Sequence, residues 1–363
     1  MKILHVFRAP AGGLFRHVRD LAMEQTRAGH EVGLICDSTS GGKMADETLK
    51  TLAPRLALGI ERLPMPRLPG MGDLHALRAI RARVRARAPD IVHGHGAKGG
   101  LHARLSARAA NARAVYTAHG GSLHYSWKSP QGALFLGAER LLLARTDGLI
   151  FVCDFERRAF ETKIGQGKCP RKVIHNGLSK EDFAAIPPNP DAADLLFIGE
   201  LRMLKGVDVL IKAIALLKDR GKQVCAVIVG DGPDRKVFEE LIARHGLQRA
   251  ITMPGAMPAA RAFPLGRIMI VPSRAESFPY VVLEAQAAAR PLIASDVGGI
   301  GEMLPATAMI PPDDPAALAA AVERALEDDG IFARAKSRQN EIRDIFSAPR
   351  MAQQTLAFYD SLL

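Results

Sequence analysis

Two carboxylates and two cations in the second half of the sequence hold its plainest chemistry. Glu276 and Glu284 stand eight positions apart inside Pro272-Ser273-Arg274-Ala275-Glu276-Ser277-Phe278-Pro279-Tyr280-Val281-Val282-Leu283-Glu284-Ala285. An ionised carboxylate accepts several hydrogen bonds and so suits sugar and ribose hydroxyls. Pro279 is expected at the first position of a helix. Glu276 then lies in the loop before that helix and Glu284 on its second turn, with the free amides of Tyr280 and Val281 turned to a crevice. Arg202 and Lys205 lie in Gly199-Glu200-Leu201-Arg202-Met203-Leu204-Lys205-Gly206. A guanidinium fork and an ammonium point charge at a strand end can clamp a diphosphate. Blander readings stand beside these: Glu276 as a helix-dipole partner, Glu284 on an exposed helix face, and Arg202 and Lys205 on a solvated loop.

Weaker signals lie elsewhere. Ala11-Gly12-Gly13 opens a helix directly after the first strand, either offering amides to a phosphate or making a tight turn. Val229-Gly230-Asp231-Gly232-Pro233 reads first as a turn with close strand-to-helix packing, and second as a nucleotide contact. His119, in Tyr116-Thr117-Ala118-His119-Gly120-Gly121, ends a strand of the first half and faces the crevice, although a lone histidine is more often structural. His93 and His95 raise the question of a metal. Their spacing is taken to point them opposite ways on a strand, and no Asp, Glu or Cys cluster completes a site, so no metal is expected.

The elements that must position these groups are short β-branched runs alternating with helical stretches. Strands are expected near Ile3–Phe7, Val32–Cys36, Ile91–His93, Val115–Thr117, Leu149–Val152 and Val173–His175. In the second half they fall near Leu195–Ile198, Val224–Val229, Ile251–Met253, Ile268–Val271, Leu292–Ala294 and Ala308–Ile310. Helices are expected over Leu14–Ala28, Leu74–Ala88, Val207–Arg220 and Pro315–Glu327. Continuous apolar strands separated by helices argue for an α/β chain with parallel sheets covered on both faces. The pattern occurs twice around Ile186-Pro187-Pro188-Asn189-Pro190, so the domains are expected at 1–185 and 186–347. The helical stretch 348–363 can pack on either domain. Two such Rossmann-like domains would turn their strand ends to one another across a cleft.

Composition agrees. The 363 residues, 48% hydrophobic, suffice for two cores and exclude disorder. Residues 1–180 hold 29 of the 49 basic and 14 of the 38 acidic side chains, net +15, and the remainder is net −4. The excess positive charge therefore belongs to the first half. Only 5% of residues are aromatic, which leaves few base-stacking platforms, and nucleic acid is not expected as a partner. Cys36, Cys153, Cys169 and Cys225 form no C-x-x-C pair and read as reduced thiols of a cytoplasmic protein. The start lacks a signal-peptide core, and no run is long enough to span a membrane.

Taken together, these segments resemble the retaining, nucleotide-sugar-dependent glycosyltransferases of family 4, with the GT-B fold. The resemblance covers nearly the whole chain. Its most specific piece is Glu276-x7-Glu284 followed by Arg290-Pro291-Leu292-Ile293-Ala294-Ser295-Asp296-Val297-Gly298-Gly299, with the other motifs, and Val173-Ile174-His175-Asn176-Gly177, in the family's order. It implies that Glu276 holds hydroxyls of the transferred sugar and Glu284 the ribose. It also implies that Arg202 and Lys205 neutralise the leaving diphosphate, aided by amides after Phe278, around Ser277 and Pro279, and at Gly12 and Gly13. His119 is implied beside the transferred sugar, with Gly230, Gly232 and Gly255 bordering the nucleotide. The nucleotide sugar is then a co-substrate, and no cofactor is implied. Three positions depart from the family pattern: Glu200 where a cation is common, Ser277 where Gly is usual, and Ala289 for a frequent Gly.

The acceptor half contains Leu74-His75-Ala76-Leu77-Arg78-Ala79-Ile80-Arg81-Ala82-Arg83-Val84-Arg85-Ala86-Arg87. Leu74, Leu77, Ile80 and Val84 share one face. A basic amphipathic helix suits an anionic membrane surface, and with it a lipid-linked acceptor in polysaccharide or glycolipid assembly. The plainer reading packs those residues on the sheet. The alternatives are a soluble acceptor or a non-catalytic basic protein on the same scaffold. A nicotinamide dehydrogenase is excluded for want of G-x-G-x-x-G after strand one.

Overall fold

The apolar runs form two wholly parallel sheets in the computed structural model, which describes residues 1–363. The first contains β1 (Lys2–Phe7), β2 (Glu31–Asp37), β3 (Gly59–Leu63), β4 (Ile91–His95), β5 (Arg113–Thr117), β6 (Gly148–Phe151) and β7 (Arg171–Val173), ordered β3-β2-β1-β4-β5-β6-β7. The second contains β8 (Ala193–Ile198), β9 (Ala226–Val229), β10 (Ile251–Gly255), β11 (Gly266–Val271), β12 (Leu292–Ser295) and β13 (Met309–Ile310), ordered β10-β9-β8-β11-β12-β13. The expected pair of parallel α/β domains is what the chain adopts. β3 is an addition to the expected strands: Gly59-Ile60-Glu61-Arg62-Leu63 is a half-buried edge strand with two charges, which hides its period from the sequence.

Helices cover both faces because their apolar residues recur at helical spacing. In Gly12–Arg27 the buried side chains include Phe15, Val18, Leu21, Ala22 and Gln25. The helix Ala348–Asp360 buries Met351, Ala352, Phe358 and Tyr359 against Ile3, Ile91, Val115 and Ile150 of the first sheet.

The chain divides into Met1–Gly177 with Ala348–Leu363, and Leu178–Ser347. The division precedes the proline-rich segment because residues 178–183 are tied to the second unit. Leu178 N–H donates to Phe346 O at 2.8 Å, and Gln339 Nε2 donates to Phe183 O at 3.4 Å.

The arginine-rich helix runs Met71–Arg87. Ile80 and Val84 are fully buried in the first unit's core, so its apolar face is not free to meet lipid. Arg83 and Arg87 pair with Glu61 on β3, and Arg81 donates to Leu105 O. Its start is different: Met71 is 71% and Leu74 48% exposed. No helix is long and apolar enough to cross a membrane.

Candidate functional site

In an open parallel sheet, the crevice lies beyond the carboxyl ends of the strands where the strand order reverses. Each sheet has one such reversal, at β1/β4 and at β8/β11. Gly12 and Gly13 follow β1, Arg202 and Lys205 lie on the loop that leaves β8 and Glu276 on the one that leaves β11, whereas His119 follows β5, Gly230 and Gly232 follow β9, and Gly255 ends β10.

At the second reversal, Lys205 Nζ lies 2.6 Å from Glu276 Oε1, with Ser273 Oγ at 2.8 Å from the same oxygen. A cation that can meet phosphate and a carboxylate that can meet hydroxyls thus share one point. Arg202 is more loosely held, 3.8 Å from Glu200 with both side chains about half exposed. The Lys205 loop is held by backbone contacts. Gly206 has φ +69°, and a Cβ there would meet Pro272 O at 1.8 Å, so only glycine fits. Arg274, to which the sequence reading gave no role, fixes the two loops together. Its guanidinium makes bonds of 2.8 and 2.9 Å to Asp208, and its N–H donates to Leu204 O.

The glycines separate into two kinds. A Cβ on Gly230 would lie 1.8 Å from Gly199 O, and one on Gly232 would lie 2.5 Å from Leu201 O. These two hold the 199–205 loop, which is the packing reading of that turn. Gly255 (φ +94°) has no atom near its Cβ direction, and Gly12 (φ +66°) is likewise open and exposed, next to Gly13 at the start of its helix.

Pro279 is not the first helical residue but the N-cap of Tyr280–Ala287, with extended backbone (φ −72°, ψ 127°). The amides of Tyr280 and Val281 remain in the first turn, and Glu284 is half-buried on the second. Phe278 is 4% exposed and meets Phe346 edge-on at 5.7 Å, so it packs the loop down. Ser277 O accepts from Gly299 N–H at 2.8 Å. Ala289 stands at φ +54°, a left-handed position that explains why glycine is common there.

The first reversal is built from histidines. His93 and His95 lie two apart on β4 and therefore on the same face, with ring centroids 3.9 Å apart. The expectation that they point opposite ways is wrong, because strand side chains repeat with period two. His5 on β1 joins them, its Nδ1 2.9 Å from His95 Nε2 and its Nε2 2.7 Å from Gln25 Oε1. His93 lies 2.6 Å from Tyr359 OH and 2.8 Å from Thr117 Oγ1. His95 Nδ1 lies 3.1 Å from His119 Nε2, and His17 Nδ1 lies 2.9 Å from Asn176 Oδ1. The triads His5–His93–His95 and His17–His95–His119 each bring three ring nitrogens within 4.8 Å, which makes metal binding a question of how those nitrogens are committed. Burial lowers the pKa of all five, to about 4 for His5 and His17 and well below 6.5 for His93, His95 and His119.

His119 is one of few non-glycine residues at positive φ (+50°), followed by Gly120 and Gly121, also left-handed. Glu156, 1% exposed, holds this turn through Gly120 N–H and also accepts from Val152 N–H at 2.9 Å. Beside the turn is a cavity of ≈ 460 Å³. Leu14, Leu101, Leu134 and Phe135 give it an apolar lining, His95 and His119 also line it, and Arg8, Arg67 and Lys98 bring charge. Lys98 is paired with Asp73 at 2.6 Å, whereas Arg8 and Arg67 have no carboxylate partner.

Residues 11–182 match the family model "Glycosyltransferase Family 4", and residues 192–328 match "Glycosyl transferases group 1". The chain is 30% identical over 334 residues to a D-inositol 3-phosphate glycosyltransferase of Kineococcus radiotolerans, covering 80% of this chain and 74% of that protein. It is 27% identical to glycogen synthase of Mycobacterium tuberculosis, over 96% and 91% of the two chains. Among solved structures, Anabaena Alr3699/HepE in complex with UDP and glucose superposes with TM-score 0.82 at 21% identity, over 99% of this chain and 100% of that one. Sucrose-phosphate synthase from Thermosynechococcus elongatus superposes with TM-score 0.83 at 21% identity, over 100% and 99%.

Proposed function

Because the chain belongs to glycosyltransferase family 4, we propose that it moves a glycosyl group from a nucleoside-diphosphate sugar to a hydroxyl acceptor, with retention at the anomeric carbon and without a metal. The observation that carries this reading is the Lys205–Glu276 contact at the β8/β11 reversal. In such a transfer a diphosphate leaves while the sugar turns cationic, so fixed positive charge at the leaving group does most of the work. Lys205 has three N–H groups and can keep Glu276 while giving another to phosphate. Arg202 and the amides of Tyr280 and Val281 complete that field. Glu276 holds hydroxyls of the sugar, Glu284 the ribose, and the open side of Gly255 borders the nucleotide. The leaving phosphate oxygen takes the acceptor's proton on the same face, which needs no separate base.

The acceptor occupies the cavity of the first unit. An apolar lining with two guanidiniums without carboxylate partners suits a lipid-linked acceptor bearing an anionic group, in bacterial polysaccharide or glycolipid assembly at the inner membrane face. The same guanidiniums support, as a second reading, a soluble phosphorylated acceptor. HepE's complex with UDP and glucose, and the inositol phosphate named for the Kineococcus relative, are in line with these substrate classes.

Incubation with a panel of sugar nucleotides tests the donor. One donor should raise the melting temperature and be slowly hydrolysed, and no response to any would overturn the reading. Co-sedimentation with anionic vesicles at low salt tests the lipid-linked form, and absence of binding would leave the soluble acceptor.

A further inference from the structure

The histidines of the first unit form a hydrogen-bonded chain whose proton positions can be counted. Gln25 Oε1 can only accept, so the 2.7 Å contact requires a proton on His5 Nε2. A neutral His5 then has a bare Nδ1, and the 2.9 Å contact takes its proton from His95 Nε2. His95 Nδ1 is bare in turn, and the 3.1 Å contact takes its proton from His119 Nε2. His119 is left with a bare Nδ1, which has no protein partner and is not among the buried polar atoms. Its ring lines the cavity.

A second branch closes separately. His93 Nδ1 meets Tyr359 OH and its Nε2 meets Thr117 Oγ1, so a neutral His93 donates at one nitrogen and accepts at the other. Gln25 orients the first branch. Its amide oxygen is the atom in contact with His5, and its amide nitrogen is buried without a hydrogen bond. Turning that amide over would reverse every donor in the chain. Both nitrogens of His5, His93 and His95 are thus committed, which leaves neither triad a convergent set of free lone pairs for a metal.

We propose that Gln25, His5 and His95 are positioning residues that fix His119 in its Nε2–H form. His119 then offers a bare Nδ1 to the cavity and selects there a substrate hydroxyl, which can donate, over a carboxylate, phosphate or ether oxygen, which cannot. The inference rests on the reading that the cavity receives a transferase substrate. The tautomer itself does not depend on that reading. The left-handed backbone of His119 is the strain expected where a ring is held in one orientation for use.

Two-bond ¹⁵N–¹H correlation spectra of the full chain read the protonated nitrogen of each histidine. Wild type should show His119, His95 and His5 protonated at Nε2, with a preference of about tenfold or more, the worth of roughly one net hydrogen bond. Gln25→Met should mix the His119 tautomers, and Gln25→Glu, which keeps an acceptor, should restore the single form. A wild-type His119 protonated at Nδ1 would overturn the proposal, as would a His119 signal unchanged in folded Gln25→Met. In the transfer assay, Gln25→Met should change kcat or the KM of the substrate bearing the hydroxyl by about tenfold, and Gln25→Glu should recover it. Chain failure shows in the spectra with transfer intact, and failure of the transferase reading shows as no transfer with the tautomers as stated. Titration with Zn²⁺ alone provides the last arm. Stoichiometric binding that His17→Ala abolishes would replace the relay with a metal site, and its absence supports the proton count.

Discussion

The two strand-order reversals solve the same topological problem with opposite chemistry. At β8/β11 the loops bring a cation and a carboxylate together, Lys205 with Glu276, in partly exposed surroundings. At β1/β4 the side chains are neutral imidazoles, buried and joined nitrogen to nitrogen. Ten of the eleven histidines lie in the first unit, and only His245 lies in the second. Fixed charges suit a site that must meet developing charge without reorganising. A neutral network suits a site that must discriminate by hydrogen-bond direction. The parallel sheet supplies the place in both cases; loops after the strands supply the chemistry at the second reversal, and His5, His93 and His95 within the strands supply much of it at the first.

This contrast can be broken experimentally, and the largest effect should come from the charged reversal. Lys205→Ala and Glu276→Ala should each lower kcat by about 10²–10³-fold or more in a transfer assay, with little change in melting temperature. Wild-type turnover in either would remove the charged half of the comparison.

Acid should act on the neutral reversal. His5 and His17 have pKa values lowered by burial to about 4, against 6.5 when unfolded. Between these values the unfolded chain binds protons that the folded chain refuses, so stability falls as pH drops from about 6.5 towards 4. The loss is on the order of a few kcal/mol. Fluorescence of Trp127, the sole tryptophan and part of the first unit, should report it, with hydrogen exchange in the second unit changing less.

Smaller effects sharpen the picture. Arg8→Ala and Arg67→Ala should each raise the acceptor KM by about tenfold while leaving donor binding unchanged, as expected for one charge-assisted hydrogen bond. A shift in donor KM instead would move those cations out of the acceptor's reach. Ala289→Gly relieves a residue at φ +54° and should stabilise the second unit by about 1 kcal/mol in urea unfolding.

Much of the fold was legible because a buried parallel strand reads as a continuous apolar run, as in Leu195–Ile198 and Ile268–Val271. β3 was not, because an edge strand carrying Glu61 and Arg62 lacks that run. The charged site was legible in outline, since Lys205 and Glu276 stand in loops that follow strands. The contact between them was not, because it depends on which strands are neighbours across a crossover. Gln25 and Tyr359 had no local signal at all. Each sits in an amphipathic helix where a polar residue on the buried face passes for noise until the partner is seen. The same-side placement of His93 and His95 was available from strand period alone.

The last helix, Ala348–Asp360, completes the first unit although it follows the second along the chain. It brings Tyr359 to His93 and covers the face of β1, β4 and β5. During synthesis from the N-terminus, the first unit therefore waits with an uncovered sheet until the ribosome has finished the second. The second unit can close on its own schedule, whereas the histidine-lined half reaches its final form only once residues 348–360 have been made. A chain cut short before residue 348 would retain every donor-side motif and still lack Tyr359 and the cover over β1, β4 and β5.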